Sequence, residues 1–194
     1  MKAVLASGNA GKVRELAALL AVRAIEVVPQ TDFGIATPPE TGTTFLENAL
    51  LKARHAAVIS GLPALADDSG IEVDALGGRP GVWSARYAGE QASDADNLNL
   101  LLHELADVPD EWRTARYRCV LVFLREPLDP APVIARGVWE GRVLTAPRGT
   151  GGFGYDPIFQ PDGSELSAAE MPLAQKNSRS HRGQALRALL SALT

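Results

Sequence analysis

Ala64-Leu65-Ala66-Asp67-Asp68-Ser69-Gly70 is the stretch on which the reading of this chain turns. The apolar run from Leu62 to Ala66 has the length of a short buried strand, and two adjacent carboxylates stand at its end before Gly70 turns the chain. Carboxylates at the carboxyl end of a buried strand face the crevice where open α/β sheets seat their ligands. Side by side they repel, so they require a cation, a hydrogen-bond donor or a shared proton. Magnesium meets that need, being a hard ion that takes one or two carboxylates together with substrate phosphates. The alternative is a solvated Asp-Asp turn closed by Ser69-Gly70. The rest of the chain decides between them.

Upstream, Lys2 to Ala6 reads as a first strand, followed by the loop Ser7-Gly8-Asn9-Ala10-Gly11-Lys12. From Val13, apolar residues recur at helical spacing (Leu16, Ala17, Leu19, Leu20). Strand, glycine-bearing loop and helix together present backbone N–H groups and a positive helix end to a phosphate. The spacing is not that of a Walker A loop, since Val13 follows the lysine. A tight turn with a solvated Lys12 is the competing reading of the loop by itself. Ile25 to Val28 predicts a second strand ending at Pro29, and a polar segment carrying Glu40-Thr41-Gly42 follows. Thr44 and Glu47 have the spacing of a capping box opening a helix that reaches about Ser60. Capping explains Glu47; Glu40, in the loop ahead, is the second carboxylate expected beside Asp68. Lys52 and Arg54 are expected to be solvated, although Lys52 has the reach for a phosphate.

Downstream, Ile71 to Val73 stays extended and Leu76 to Gly81 forms a glycine-rich loop. Ser93 and Asp96 make a second capping box, with His103 on the surface of its helix. Thr114 to Leu124 is a mostly buried strand containing the lone cysteine, Cys119, expected as an inert buried thiol. Val133 to Leu144 supplies one or two further strands, with Glu140-Gly141 as a hairpin turn. The spacings leave no room for crossover helices, so these later strands are expected to be antiparallel. Gly149 to Pro157 surrounds Phe153 and Tyr155 with glycines, a loop able to stack either ring on a base. The cations Lys176, Arg179 and Arg182, with His181, precede a last amphipathic helix, against the preference of a helix N-terminus for acids. An anionic or carbonyl-bearing ligand accounts for that misfit.

Composition narrows the classes. The chain has 194 residues, 46% hydrophobic and 22% charged, enough for a sizeable core and unlike a disordered segment. A net charge of −4 offers no basic field, so neither nucleic acid nor a membrane surface is an expected partner. One cysteine excludes an internal disulfide. No signal-like or membrane-spanning run is present, and a cytoplasmic location is expected. Phosphate donors (Ser7 to Lys12, Lys176), metal carboxylates (Asp68, Glu40) and an aromatic-plus-cation set (Phe153, His181, Arg182) together describe a nucleotide site.

Those residues, in this order, resemble the inosine triphosphate pyrophosphatase family, the non-standard purine (dITP/XTP) nucleoside triphosphate pyrophosphatases of the bacterial branch. The matching motifs are SGNAGK at Ser7–Lys12, ETG and TFLENALLKAR between Glu40 and Arg54, ADDSG at Ala66–Gly70, LGGRPGVWSARYAG at Leu76–Gly89, GTGGFGYDPIF at Gly149–Phe159, and Lys176 with SHRGQAL at Ser180–Leu186. The resemblance implies a single α/β domain over 1–194, with a long mixed central sheet flanked by helices and two lobes with an active-site cleft between them. It implies Mg2+, a purine nucleoside triphosphate substrate and a homodimer. Asp68 is then the general base and a metal ligand, with Glu40 the further metal ligand. Ser7, Gly8, Asn9, Ala10, Gly11 and Lys12 cradle the triphosphate, and Ser69 touches substrate. Phe153, Gly154, Tyr155, Asp156, Lys176, His181 and Arg182 complete the substrate-binding set. A nucleotide sensor and an aspartyl-phosphate phosphatase using Asp67 or Asp68 are the rival functions. Every version of the nucleotide reading requires Asp68 to lie near Lys12 and Arg182.

Overall fold

Strand β1 (Lys2–Ala6) is buried at Ala3, Val4, Leu5 and Ala6, as expected of a strand flanked on both sides. It pairs in parallel with β2 (Glu26–Pro29), Leu5 opposite Pro29, and with β3 (Ala64–Val73), Leu5 opposite Leu65. The computed structural model describes residues 2–20 and 25–193; the side chains of Ala18 and Leu19 lie outside the described set, so the expectation for Leu19 does too. The remaining strands are β4 (Thr114–Leu124), β5 (Val133–Val143) and β6 (Phe159–Pro161). Among the described residues they form one six-stranded sheet in the order β2-β1-β3-β4-β5-β6. With β5 and β6 antiparallel, the sheet is mixed, as expected. The helices are α1 (Ala10–Leu20), α2 (Phe45–Ser60), α3 (Asp94–Glu104), α4 (Leu173–Arg179) and α5 (His181–Ala192).

Three expectations are corrected. β3 does not end at the aspartates, and Gly70 turns nothing: the strand runs from Ala64 through Asp67 and Asp68 to Val73. The carboxyl end that matters belongs to β1, which stops at Ala6 opposite Ala66, so the two aspartates lie just past its last paired residue. β5 likewise passes straight through Glu140-Gly141, because Gly141 pairs with Pro161 of β6. A side chain at Gly141 would strike the Gln160 carbonyl, so glycine here marks a close approach of strands. Finally, α1 starts at Ala10 rather than Val13, which places Gly11 and Lys12 in its first turn.

The chain divides into two compact units, each assembled from separate segments. The first takes the chain up to Asp68, Cys119–Gly137 and the chain from His181 onward. Its core joins Leu5 and Leu65 of the parallel strands, Leu121 and Phe123 of β4, Leu16 and Leu20 of α1, and Leu186 and Leu189 of α5. Burying each such leucine contributes about 1.5–3 kcal/mol. Gly137 admits α5 to this unit, since a Cβ there would collide with the His181 carbonyl. The second unit takes Ser69–Arg118 and Val138–Ser180, around Ile71, Leu101, Tyr117, Trp139, Ile158 and Phe159. Tyr117 and Trp139 both pack on the Phe159 ring, with centroids 4.6 and 5.4 Å away.

Candidate active site

In the first unit the start of α1 is built by two short side chains. The Asn9 side chain caps the helix by accepting the Lys12 amide (3.0 Å), and the Ser7 hydroxyl accepts the Asn9 amide (3.2 Å). That cap ties the backbone of Ser7 to Lys12 into one turn and sets the Lys12 side chain over β3. Its ammonium lies 3.2 Å from a carboxylate oxygen of Asp67. The same oxygen is 3.5 Å from Arg182, whose guanidinium donates a short hydrogen bond to Glu15. Arg182 and His181 stand inside the first turn of α5, both buried. The helix dipole disfavours a cation there, and Glu15 and Asp67 outweigh it.

The second half of the cluster hangs on α2. Thr44 and Glu47 form the expected capping box, and the Glu47 carboxylate accepts the amides of Thr43 and Thr44 together with the Thr43 hydroxyl. These bonds hold the Glu47 carboxyl below its usual range, so it is committed to the cap. Along α2 the buried face reads Phe45, Asn48, Ala49, Lys52, Ala53, Ala56, Ala57, and its two polar members turn toward Asp68. The Lys52 ammonium is 2.7 Å from an oxygen of Asp68 and 2.7 Å from an oxygen of Glu40. Asn48 donates to the other Asp68 oxygen (3.4 Å) and accepts the Gly42 amide (2.8 Å), which ties the Glu40-Thr41-Gly42 loop to the helix. Glycine is needed at 42, since a Cβ would press within 2.6 Å of both the Asn48 amide oxygen and the Glu47 Cβ.

Glu40 and Asp68 share the Lys52 ammonium. The acid in contact with Lys12 and Arg182 is Asp67 rather than Asp68, which has Lys12 only within electrostatic reach. Lys52, expected in solvent, is instead 5% exposed. Asn48 and Glu15 complete the cluster and were not anticipated. Their signal in the sequence is positional: polar residues on a face otherwise made of alanine or leucine are held by partners.

Neighbouring carboxyls in this cluster are driven in opposite directions. Burial pushes Asp67 up, but Lys12 and Arg182 outweigh it and hold the group well below the carboxylate range. Burial also raises Asp68; Lys52 and Lys12 pull it down, Glu40 pushes it up, and the net direction is upward. Burial would lower Lys52, yet Asp68, Asp67 and Glu40 raise it above its ordinary value, so it stays an ammonium. A permanent anion beside a carboxyl with raised proton affinity is the division of labour that acid–base sites use. Cys119, beneath them, is buried with its thiol pushed up to about 12, as expected of an inert thiol.

Ser69, Phe153, Gly154, Tyr155, Asp156 and Lys176 belong to the second unit. Ser69 is half-buried in β3. Tyr155 is not available for stacking: it is 4% exposed, and its hydroxyl donates to the Ser84 carbonyl at 2.8 Å. Phe153 is half-buried, with the Lys176 ammonium 5.1 Å from its ring centroid. Asp156 accepts Lys176 (2.7 Å), the Phe153 amide (2.9 Å) and the Tyr117 hydroxyl (3.4 Å). A Cβ at Gly152, whose φ is +73°, would strike that carboxylate. Gly154 donates its amide to Asp94 at 2.7 Å.

Parallel strands, a capped helix start bearing a lysine, and acids gathered on buried cations define an α/β protein with a charged cluster at the end of β1. The chain belongs to the Ham1 family, whose sequence model matches residues 3–192. It is 58% identical over 192 residues to the dITP/XTP pyrophosphatase of Shigella flexneri, covering 99% of this chain and 98% of that one. The dITP/XTP pyrophosphatase of Pectobacterium atrosepticum matches with the same identity and coverage. Among solved structures, the chain is similar to a HAM1 protein from Coxiella burnetii, with a TM-score of 0.90 and 48% identity over 100% of this chain and 98% of that one.

Proposed function

We propose that this chain hydrolyses non-standard purine nucleoside triphosphates (dITP, ITP and XTP) to the monophosphate and pyrophosphate. The observation that carries the reading is the convergence of Glu40 and Asp68 on one cation position, 2.7 Å from each, in the unit that also holds the Lys12 helix start. Full-length similarity to dITP/XTP pyrophosphatases supports the same chemistry.

The residues fit magnesium. Two carboxylates already gather about the Lys52 ammonium, a stand-in for a harder cation. Two carboxylates are the protein oxygens that magnesium usually takes, the rest of its shell being filled by phosphate and water oxygens. Glu40 and Asp68 would hold the ion, which when bound neutralises charge on the phosphates.

Lys12 and the backbone from Ser7 to Gly11 cradle the triphosphate. Asp68 takes the proton of a water whose oxygen bonds to the α-phosphorus. The bond between the α-phosphorus and the α,β-bridging oxygen breaks, and pyrophosphate leaves against Lys12 and Lys52. Arg182, oriented by Glu15 and Asp67, is assigned the donor to the purine 6-carbonyl; adenine presents an amino group there and would leave that donor unpaired. In the first unit His181 is a further substrate residue of this reading; in the second, Ser69, Phe153, Gly154 and Lys176 are its substrate residues, and Tyr155 and Asp156 shape the loop that carries Phe153. A homodimer in the cytoplasm belongs to the same reading. Among the described residues no helix is long and apolar enough to cross a membrane.

A panel of ITP, dITP, XTP, GTP and ATP with magnesium, scored for pyrophosphate against phosphate, tests this. Pyrophosphate from the first three, with ATP poorly used, is expected; release of phosphate with nucleoside diphosphate overturns it.

A further inference from the structure

We propose that in the substrate-free chain Lys52 fills the cation position between Glu40 and Asp68, so that the site takes a divalent ion as its triphosphate chelate and not as the free ion. The inference rests on the nucleotide reading above and specifies the form in which substrate enters.

The geometry is that of an occupied site. One ammonium lies 2.7 Å from a carboxylate oxygen of each acid, on a residue 5% exposed and anchored in the middle of α2. The neighbouring acids are also matched: Asp67 faces Lys12 and Arg182, and Glu15 faces Arg182. A free divalent ion entering here must expel the ammonium from buried Asp68 and half-buried Glu40 and offer it nothing in exchange. An uncompensated buried charge is strongly unfavourable. A metal–triphosphate chelate brings phosphate oxygens with it. Lys52, on a flexible four-carbon stem, then trades carboxylates for phosphate in another charge-assisted bond. The exchange keeps every charge paired, so cation and nucleotide enter together.

The test reads binding rather than turnover, using Mn2+ and the electron paramagnetic resonance signal of the free ion. With Mn2+ alone, the wild-type chain is expected to bind weakly and Lys52→Met about tenfold more tightly, within the range usual for coupled sites. With an inosine triphosphate analogue carrying a non-cleavable α,β-methylene bridge, and after subtracting the Mn2+ that the same analogue chelates without protein, wild-type Mn2+ affinity should rise by a comparable factor, because coupling is reciprocal. Wild-type chain that binds Mn2+ equally well with and without the analogue overturns the proposal, as does a folded Lys52→Met variant with unchanged affinity. Should the variant fail to fold, the two wild-type measurements still decide. An analogue that does not bind in any condition sinks the nucleotide reading instead, and the Mn2+-only contrast between wild type and variant then decides the role of Lys52.

Discussion

Lys52 and Lys176 look alike in isolation: each is buried, and each places its ammonium 2.7 Å from an aspartate. Their surroundings differ. Lys176 meets Asp156, which also accepts an amide and a hydroxyl and fixes the loop of Phe153. Lys52 meets Asp68 and Glu40 together, with Asp67 next along β3 and Lys12 within electrostatic reach. The first arrangement is a matched pair that holds a shape. The second gathers Glu40, Asp67 and Asp68 around Lys52 and Lys12, and although each acid has a cation, each added acid raises the cost of ionising the others. Crowding of that kind is what the proposed hydrolysis asks of these residues.

The largest effect expected from this contrast is on turnover. Asp68→Asn should lower kcat/KM by about 10²–10⁴, the usual worth of a general base, while urea unfolding shows stability equal or higher. The sign follows from the raised Asp68 carboxyl: above its unfolded value, ionisation costs more in the folded chain than in the unfolded one, and the amide removes that cost. Retained turnover in Asp68→Asn would place the base elsewhere. The matched pair should behave in the opposite sense: Asp156→Asn leaves Lys176 buried without its carboxylate and should cost about 3–5 kcal/mol in urea unfolding. A loss far below that would erase the distinction between the two lysines.

Asp67 sharpens the comparison inside the cluster. Its carboxyl is held low by Lys12 and Arg182, so its contribution to stability is present above the unfolded carboxylate value and lost as pH falls through the still lower folded one. Asp67→Asn should therefore flatten the acid limb of the stability–pH curve; an unchanged limb would show that the ion pairs are idle. The smallest effect belongs to the helix cap. Thr44→Ala should cost about 1 kcal/mol, and Glu47→Gln should leave turnover nearly unchanged, because Glu47 serves the cap. A collapse of activity in Glu47→Gln would mean that the metal-holding glutamate is Glu47 and not Glu40.

Local rules carried the sequence reading a long way. The strand Lys2–Ala6, the strand Thr114–Leu124 and both capping boxes stand as expected, because each depends on neighbours a few residues away. The errors share a cause of the opposite kind. A strand was expected to stop at Asp67 and a hairpin to form at Glu140-Gly141, yet β3 and β5 continue, with β6 pairing across Gly141. Tyr155 reads as a free ring until Ser84 and the core around it come into view.

By itself, the sequence determined the α/β class, the helix caps, the likeness of its motifs to a nucleotide-hydrolysing family, and the pair of acids Glu40 and Asp68. Only the tertiary structure decided that Lys52 lies between them, that Arg182 is held by Glu15 from 167 residues away, and that adjacent aspartates are pushed in opposite directions. The physical reason is range. A cap or a strand pattern is settled by bonds within a turn or two, whereas the charge state and partner of a buried side chain depend on which distant segments the core brings against it.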